Sequence, residues 1–144
     1  MPIISPMNKN DLDEVCEIEN QCFSMPWSKR SFEEALDNRN ACYLTARLDG
    51  RIVGYCGAYR ILDEADINQI AVADAYRRKG IGRAVLGALL QQLEEEGITA
   101  VTLEVRSSNA PAVGLYEAMG FATEGVRRNF YEKPTEDALI MWKR

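Results

Sequence analysis

The chain has 144 residues, 47% hydrophobic and 27% charged, with 22 acidic against 17 basic side chains and a net charge of −5. That is the size of one domain with a single core, and its acidic balance would repel a phosphate backbone, so direct nucleic-acid binding is not expected. No apolar run approaches the roughly 20 residues that span a bilayer, and Met1-Pro2-Ile3-Ile4 has no basic stretch ahead of a signal-length apolar run, so a cytoplasmic protein without a membrane partner is expected.

The sequence contains no histidine, which removes histidine-based triads, imidazole acid–base chemistry and histidine–metal sites together. Its four cysteines, Cys16, Cys22, Cys42 and Cys56, form no C-x-x-C pair and sit among apolar neighbours. They read as small buried hydrophobes, not as a disulfide framework. Charge is unevenly spread. Residues 1–72 carry 7 basic and 12 acidic side chains, whereas residues 73–144 carry 10 of each.

Pro2–Ser5 reads as a short strand. Asn8 to Phe23 follows as a helix, with Leu12, Val15, Cys16, Glu19, Cys22 and Phe23 near helical spacing and Asn8 to Asp11 able to cap it. Pro26 forces a bend in Ser24-Met25-Pro26-Trp27, and Ser28 caps a second helix to about Leu36. Ala41–Leu48 and Arg51–Leu62 are β-rich runs joined by Asp49-Gly50, a two-residue hairpin signal.

An acidic turn at Asp63–Asp66 leads into the apolar run Ile67–Val72. Gly80 to Glu96 is helical, with Ile81, Val85, Ala88, Leu89 and Leu93 on one stripe and Gly97 as a left-handed cap. Ala100–Val105 alternates as a strand, and Asn109–Met119 is a helix with Pro111 in its first turn and Gly120 closing it. Ala122–Tyr131 and Ala138–Lys143 are the last strands, around the turn Lys133-Pro134-Thr135. The order β-α-α-β-β-β-α-β-α-β-β, with no linker or repeat, predicts one mixed α/β sheet with helices on its faces.

The most informative stretch runs from Ile70-Ala71-Val72 through Arg77-Arg78-Lys79-Gly80-Ile81-Gly82-Arg83 into a helix. Glycines let the backbone approach a ligand, and the first N–H groups of a helix lack intrahelical partners. With the helix dipole and four cations, this is a pyrophosphate site. A Walker loop is excluded because no Gly-Lys-Ser/Thr closes it. The dinucleotide fingerprint is excluded because Val85 stands where its third glycine belongs.

Arg77-Arg78-Lys79-Gly80-Ile81-Gly82 resembles the Arg/Gln-x-x-Gly-x-Gly/Ala signature of the GCN5-related N-acetyltransferase (GNAT) family. The resemblance covers essentially the whole chain, residues 1–144, as a single domain. It implies the GNAT fold, a mixed and mostly antiparallel sheet with helices on both faces. It also implies that residues 77–83 hold the pyrophosphate of acetyl-CoA while Ile70, Ala71 and Val72 supply backbone groups to its pantetheine and thioester; no metal is implied. Pro26-Trp27-Ser28, Leu103 to Asn109, Leu115 to Phe121 and Arg127-Arg128-Asn129-Phe130-Tyr131 are similar to the branch that acetylates the N-terminal amine of a small-subunit ribosomal protein. A basic N-terminal peptide is then the expected partner, and a monomer or weak dimer the expected state.

Acetyl transfer to an amine needs a neutral nucleophile and a protonated leaving thiolate. An α-amino group has a pKa of about 7.7–8.0 against about 10.4 for lysine, so a carboxylate suffices as base for N-termini. Glu104 is the candidate base, because alternation places it with Thr102 opposite Val101, Leu103 and Val105. The resemblance assigns the same role to it. Tyr116, in the Leu-Tyr-Glu segment, is implied as the acid that protonates the coenzyme A sulfur, on a helix whose other face is Ala112, Val113, Leu115 and Met119. Asn109 is expected to cap that helix and, by the resemblance, to bind the cofactor. Trp27 either staples the N-terminal helices or lines a peptide groove, and Tyr131 either closes that groove or is an edge-strand aromatic. The alternatives are a lysine or small-amine acceptor on the same fold, and a non-catalytic acyl-CoA-binding module.

Overall fold

The computed structural model describes residues Met1–Arg144. Seven strands and four helices follow in the expected order. They are β1 (Ile3–Pro6), α1 (Leu12–Cys22), α2 (Lys29–Asp37), β2 (Ala41–Leu48), β3 (Arg51–Ile61) and β4 (Glu64–Val72). Then come α3 (Ile81–Glu95), β5 (Ala100–Arg106), α4 (Ala110–Ala118), β6 (Ala122–Tyr131) and β7 (Glu136–Lys143). The strands form one sheet in the order β1-β2-β3-β4-β5-β7-β6. Every pairing is antiparallel except β4 with β5.

Helices cover both faces. The core under α3 and α4 joins Val85, Leu86, Leu89 and Leu93 to Val53, Ile67, Leu103, Tyr116, Phe121 and Met141. A second core lies under α1 and α2, where Leu12, Val15, Ile18 and Phe32 pack on Tyr43, Ile52, Tyr55 and Ala71. No helix is long and apolar enough to cross a membrane.

Local chemistry sets the element ends. Asp49 and Gly50 both take positive φ, 52° and 80°, as the tight hairpin turn requires. Ser28 Oγ accepts the Ser31 N–H at 3.1 Å and starts α2. The N-terminal helix starts later than its polar residues suggest. Asn8 and Asp11 form a capping box around a 3₁₀ turn, Lys9–Asp11, and α1 begins only at Leu12.

Three further expectations change. The acidic segment 63–66 is not all turn: β4 begins at Glu64, because Ala65 and Ile67 alternate into the core. Ile18 joins the buried stripe of α1, while Phe23 lies exposed beyond its end. Cys42 and Cys56 are buried, but Cys16 and Cys22 are only half-buried; all four are free thiols.

One irregularity positions everything that follows. Gly57 faces Gln69 and Ala58 faces Ile67, so Asn68 is an extra residue in β4. The bulge switches faces: Ala65 and Ile67 point under α3, whereas Ala71 joins the core under α1 and α2. The parallel pairing of β4 with β5 ends at the same place, at Ile67 opposite Leu103. Beyond it Gln69–Val72 pairs with β3 alone, and the sheet opens.

Candidate active site

The loop after β4 winds through left-handed backbone at Arg78, φ 63°, and at Gly80, φ 78°, which caps α3. No side chain caps the helix, and the first helical N–H with a backbone partner is that of Ala84, which donates to Gly80 at 3.0 Å. The N–H groups of Ile81, Gly82 and Arg83 are therefore free donors at the positive end of a 15-residue helix. Arg78, Lys79 and Arg83 are exposed and form no ion pair. Arg77 differs. It pairs with Asp74 at 3.1 Å, donates to Val72 C=O at 3.4 Å and touches Cys22 Sγ at 3.3 Å, so it braces the loop. The Ile81 side chain enters the core, leaving only its backbone to the loop.

The opening between β4 and β5 lies beside this loop. Ile70 and Val72 pack against the α3 side and Ala71 is buried on the other, so this stretch presents mainly backbone. On β5, Val101, Leu103 and Val105 are buried while Thr102 and Glu104 lie between, as the alternation predicts. Glu104 is one residue beyond the last β4–β5 pair. Arg127 Nε lies 3.0 Å from its Oε2, but not aligned to donate, and that buried oxygen has no hydrogen-bond partner.

Asp66 shares the neighbourhood. Crowding of its carboxylate pushes its pKa up, Glu104 pushes it further, and Arg127 opposes both.

Tyr116 comes from α4, and the end of that helix places it. Gly120, φ 100°, lets the Phe121 N–H donate to Tyr116 C=O at 2.9 Å and the Gly120 N–H to Glu117 C=O at 3.1 Å. The Tyr116 and Phe121 rings then meet edge-on at 6.0 Å. Tyr116 is the only fully buried residue of α4. It thus faces the core together with Ala112, Val113, Leu115 and Met119, not away from them. Its hydroxyl bonds to no protein group. Burial, then Tyr131, pushes its phenol above the ordinary value, so it is protonated at neutral pH.

Tyr131 links the two candidates. It is half-buried at the end of β6, with its phenol pushed up by burial and then by Glu104. The Arg106 guanidinium lies 4.5 Å from its ring centroid. Arg106 also donates to Pro134 C=O at 2.8 Å and Glu132 C=O at 2.9 Å, and pairs with Glu136 at 3.4 Å. Glu136 in turn accepts the Ser108 N–H at 2.6 Å and the Ser107 hydroxyl at 3.2 Å. This latch fixes the turn before β7 to the loop that ends at Asn109, whose Oδ1 caps α4 through the Ala112 N–H at 3.2 Å.

Trp27 staples the N-terminal helices, the first of its two expected roles. Its ring packs on Phe32 at 5.2 Å and on Tyr43 at 6.4 Å, and it also lines a cavity of about 450 Å³ with Ser31, Glu34, Ala35, Asn38 and Tyr59. That cavity is set apart from Glu104 and Tyr116. The sequence reading missed Asp66, Arg127 as the partner of Glu104, and the Arg106–Glu136 latch. Arg106 and Arg127 lie inside segments that stood out as motifs; Asp66 was hidden in an apparent turn. No three cysteine or carboxylate side chains converge as around a metal ion.

Comparison with known proteins agrees with this arrangement. The model of the Acetyltransferase (GNAT) family matches residues 12–121. The [Ribosomal protein bS18]-alanine N-acetyltransferase of Escherichia coli (strain K12) is 40% identical over 147 residues, covering 98% of this chain and 96% of that one. A Bacillus subtilis relative, provisionally given the same name, is 42% identical over 137 residues, 94% and 91% of the two chains. The crystal structure of the E. coli ribosomal-protein-S18-alanine N-acetyltransferase superposes with a TM-score of 0.93 at 36% identity, over 99% of this chain and 93% of that one. With its bulged and parted β4, its glycine loop and these relatives, the chain belongs to the GNAT family of N-acetyltransferases.

Proposed function

We propose that this protein is an acetyl-CoA-dependent Nα-acetyltransferase whose acceptor is the N-terminal alanine of ribosomal protein bS18, acting in the cytoplasm. The observation in the site that carries the reading is the buried Oε2 of Glu104 at the edge of the β4–β5 opening, which faces Arg127 but accepts no hydrogen bond. Relatives with the corresponding name span both chains almost end to end.

The residues present fit the cosubstrate. The free N–H groups of Ile81, Gly82 and Arg83, with Arg78 and Lys79, receive a pyrophosphate, while Arg77 holds the loop in place. The backbone of Ile70 to Val72, unpaired toward β5, receives the pantetheine amides. Asn109 spends its Oδ1 on the helix cap and keeps its amide N–H groups for the cofactor. Acetyl-CoA, when bound, supplies the acetyl group as a thioester.

The chain's own groups move two protons. Glu104 takes one from the α-ammonium, which leaves a neutral amine to attack, and Tyr116 gives one to the sulfur as the C–N bond forms and the C–S bond breaks; the second proton shed by the nitrogen passes to solvent, from which Tyr116 is reprotonated. A phenol raised above 10 is a weak acid, so its proton transfers as the thiolate departs, not before. Transfer is direct, within a ternary complex. Trp27 and Tyr131 flank the acceptor, and the acidic N-terminal half of the chain favours a basic peptide.

The test sets a basic peptide with a free N-terminal alanine beside the same peptide blocked at its N-terminus but carrying lysine. Thiol release should favour the free alanine by well over about tenfold near neutral pH, given the gap in amine pKa. Equal turnover of the two would overturn the acceptor assignment. Coenzyme A binding without any turnover would leave only an acyl-CoA-binding module.

A further inference from the structure

Two buried carboxylates have no use in the reaction above: Asp11, which belongs to the N-terminal capping box and pairs with Arg47, and Glu19, which has no such cation. Glu19 is 1% exposed, on the face of α1 that packs against the sheet. Its Oε2 accepts the Trp27 N–H at 2.9 Å and Gln69 Nε2 at 2.9 Å, while its Oε1 accepts the Tyr55 hydroxyl. No lysine or arginine pairs with it. A carboxylate buried among neutral donors is costly, and apolar side chains of the same volume would often be at least as stable. A carboxylate accepts all three bonds and brings no donor of its own, whereas a glutamine would turn an NH₂ toward one of the donors.

The three donors come from three places. Trp27 lies in the irregular turn between α1 and α2, Tyr55 on β3, and Gln69 on β4 between the Asn68 bulge and Ile70. Among residues 24 to 27 the Trp27 N–H is the one backbone donor bonded to the rest of the protein. Glu19 is thus the polar tie that sets the Trp27 segment against the strand facing the β4–β5 opening.

We infer that Glu19 is a positioning residue for the acceptor, holding Trp27 at a fixed distance from β4 so that the groove for the incoming peptide is preformed. The inference rests on the proposed acetyltransferase function and adds to it a residue that touches neither substrate. β4 is independently held by its pairing with β3, so loss of the tie loosens the acceptor side and spares the cofactor side.

Glu19→Gln should raise KM for the alanine-terminal peptide about tenfold or more and leave KM for acetyl-CoA within about twofold. Tyr55→Phe removes a donor of the same cluster but not the tie to Trp27, so it should lower Tm and leave the peptide KM within about twofold. A readout independent of turnover uses the Trp142→Phe background, in which Trp27 is the sole tryptophan. There, acrylamide quenching of Trp27 should at least double, roughly, when Glu19 is replaced. If Glu19→Gln does not fold, Glu19→Asp, which withdraws the carboxylate by one methylene, takes its place in both measurements.

A folded variant with an unchanged peptide KM, with both KM values raised in parallel, or with unchanged quenching would overturn the inference. A wild-type enzyme that leaves the alanine peptide unmodified would instead overturn the functional reading. The quenching result would still report whether Glu19 holds the segment.

Discussion

The two halves of the sheet are held by different physics. β2 and β3 are covered on both faces, and β3 is buried along seven consecutive residues, Ile52 to Ala58. β5, β7 and β6 are covered on one face only: none of their residues joins the core under α1 and α2, and β6 has no buried residue at all. Where apolar burial is missing, arginine–carboxylate pairs take over: Arg106–Glu136, Arg127–Glu104 and Arg144–Glu124. Exposed pairs contribute little each, so the second half depends on several at once. In the proposed function the first half is the wall that bears the cofactor loop and Trp27, and the second an open, polar face that bears Glu104 and Tyr131. Their seam is four parallel residue pairs and then a gap, with Glu104 one residue beyond the last pair.

The sharpest way to break this division is at Tyr116, which belongs to the covered side yet is assigned to chemistry. Its hydroxyl bonds to nothing in the protein, so Tyr116→Phe should change stability by less than about 1 kcal/mol. Acetyl transfer should fall by about 10²- to 10⁴-fold in a single-turnover assay. Retained activity would make Tyr116 a packing residue only.

Glu104 tests the open side. Glu104→Gln should slow transfer by about 100-fold at neutral pH, where an N-terminal amine is largely protonated. Raising the pH past about 8 should restore part of the rate, because the amine then deprotonates without help. A pH–rate profile parallel to that of the wild type would remove Glu104 as base.

Much of the wall could be read from the sequence, because its signals are local. Asp49-Gly50 named its turn, Ser28 its cap, and Gly97 and Gly120 the ends of α3 and α4. The direction of Tyr116 was not among them: its contact with Phe121 turns it to the same core as Leu115 and Met119. What escaped reading depends on long-range geometry. Nothing in Ile67-Asn68-Gln69 announces a bulge, since Asn68 becomes the extra residue only when β3 is laid against it. Glu19 fell on a helical stripe, but a stripe does not reveal that its carboxylate meets Trp27, Tyr55 and Gln69. Glu104 was legible by alternation, but its Arg127 partner comes from a strand two positions away across β7.

Gly82 sharpens the cofactor side, because the signature admits alanine there but nothing larger. A Cβ there would meet Leu115 and Val72 at 3.5 Å, an ordinary contact, and the residue lies within α3. Gly82→Ala should therefore leave stability unchanged or raise it by up to about 1 kcal/mol. A larger side chain exceeds the space beside Leu115 and Val72 and crowds the first turn where a pyrophosphate would approach, so in Gly82→Val coenzyme A affinity by calorimetry should fall about tenfold. Unchanged affinity would move the anion site elsewhere on the loop.

The smallest effect is expected at the latch of the open half. Hydrogen bonds from Ser108, followed by Arg106 and Ser107, hold the Glu136 carboxyl below its ordinary value. A carboxyl lowered on folding contributes its stabilisation in full above the unfolded value of about 4.3 and loses it as the pH falls through the lower folded value. The Ser108 amide, 2.6 Å from Glu136, should thus titrate by NMR with a midpoint below about 4.3 in the wild type, and the transition should vanish in Glu136→Gln. At neutral pH that variant keeps an acceptor for Ser108 and loses only the charge facing Arg106, so Tyr131 and Asn109 shift little. Acetyl transfer should then drop by no more than about fivefold, expressed mainly in KM for the peptide. A Ser108 midpoint at or above the ordinary glutamate value would show that the latch is open in solution. The polar face would then be held by its two remaining ion pairs alone.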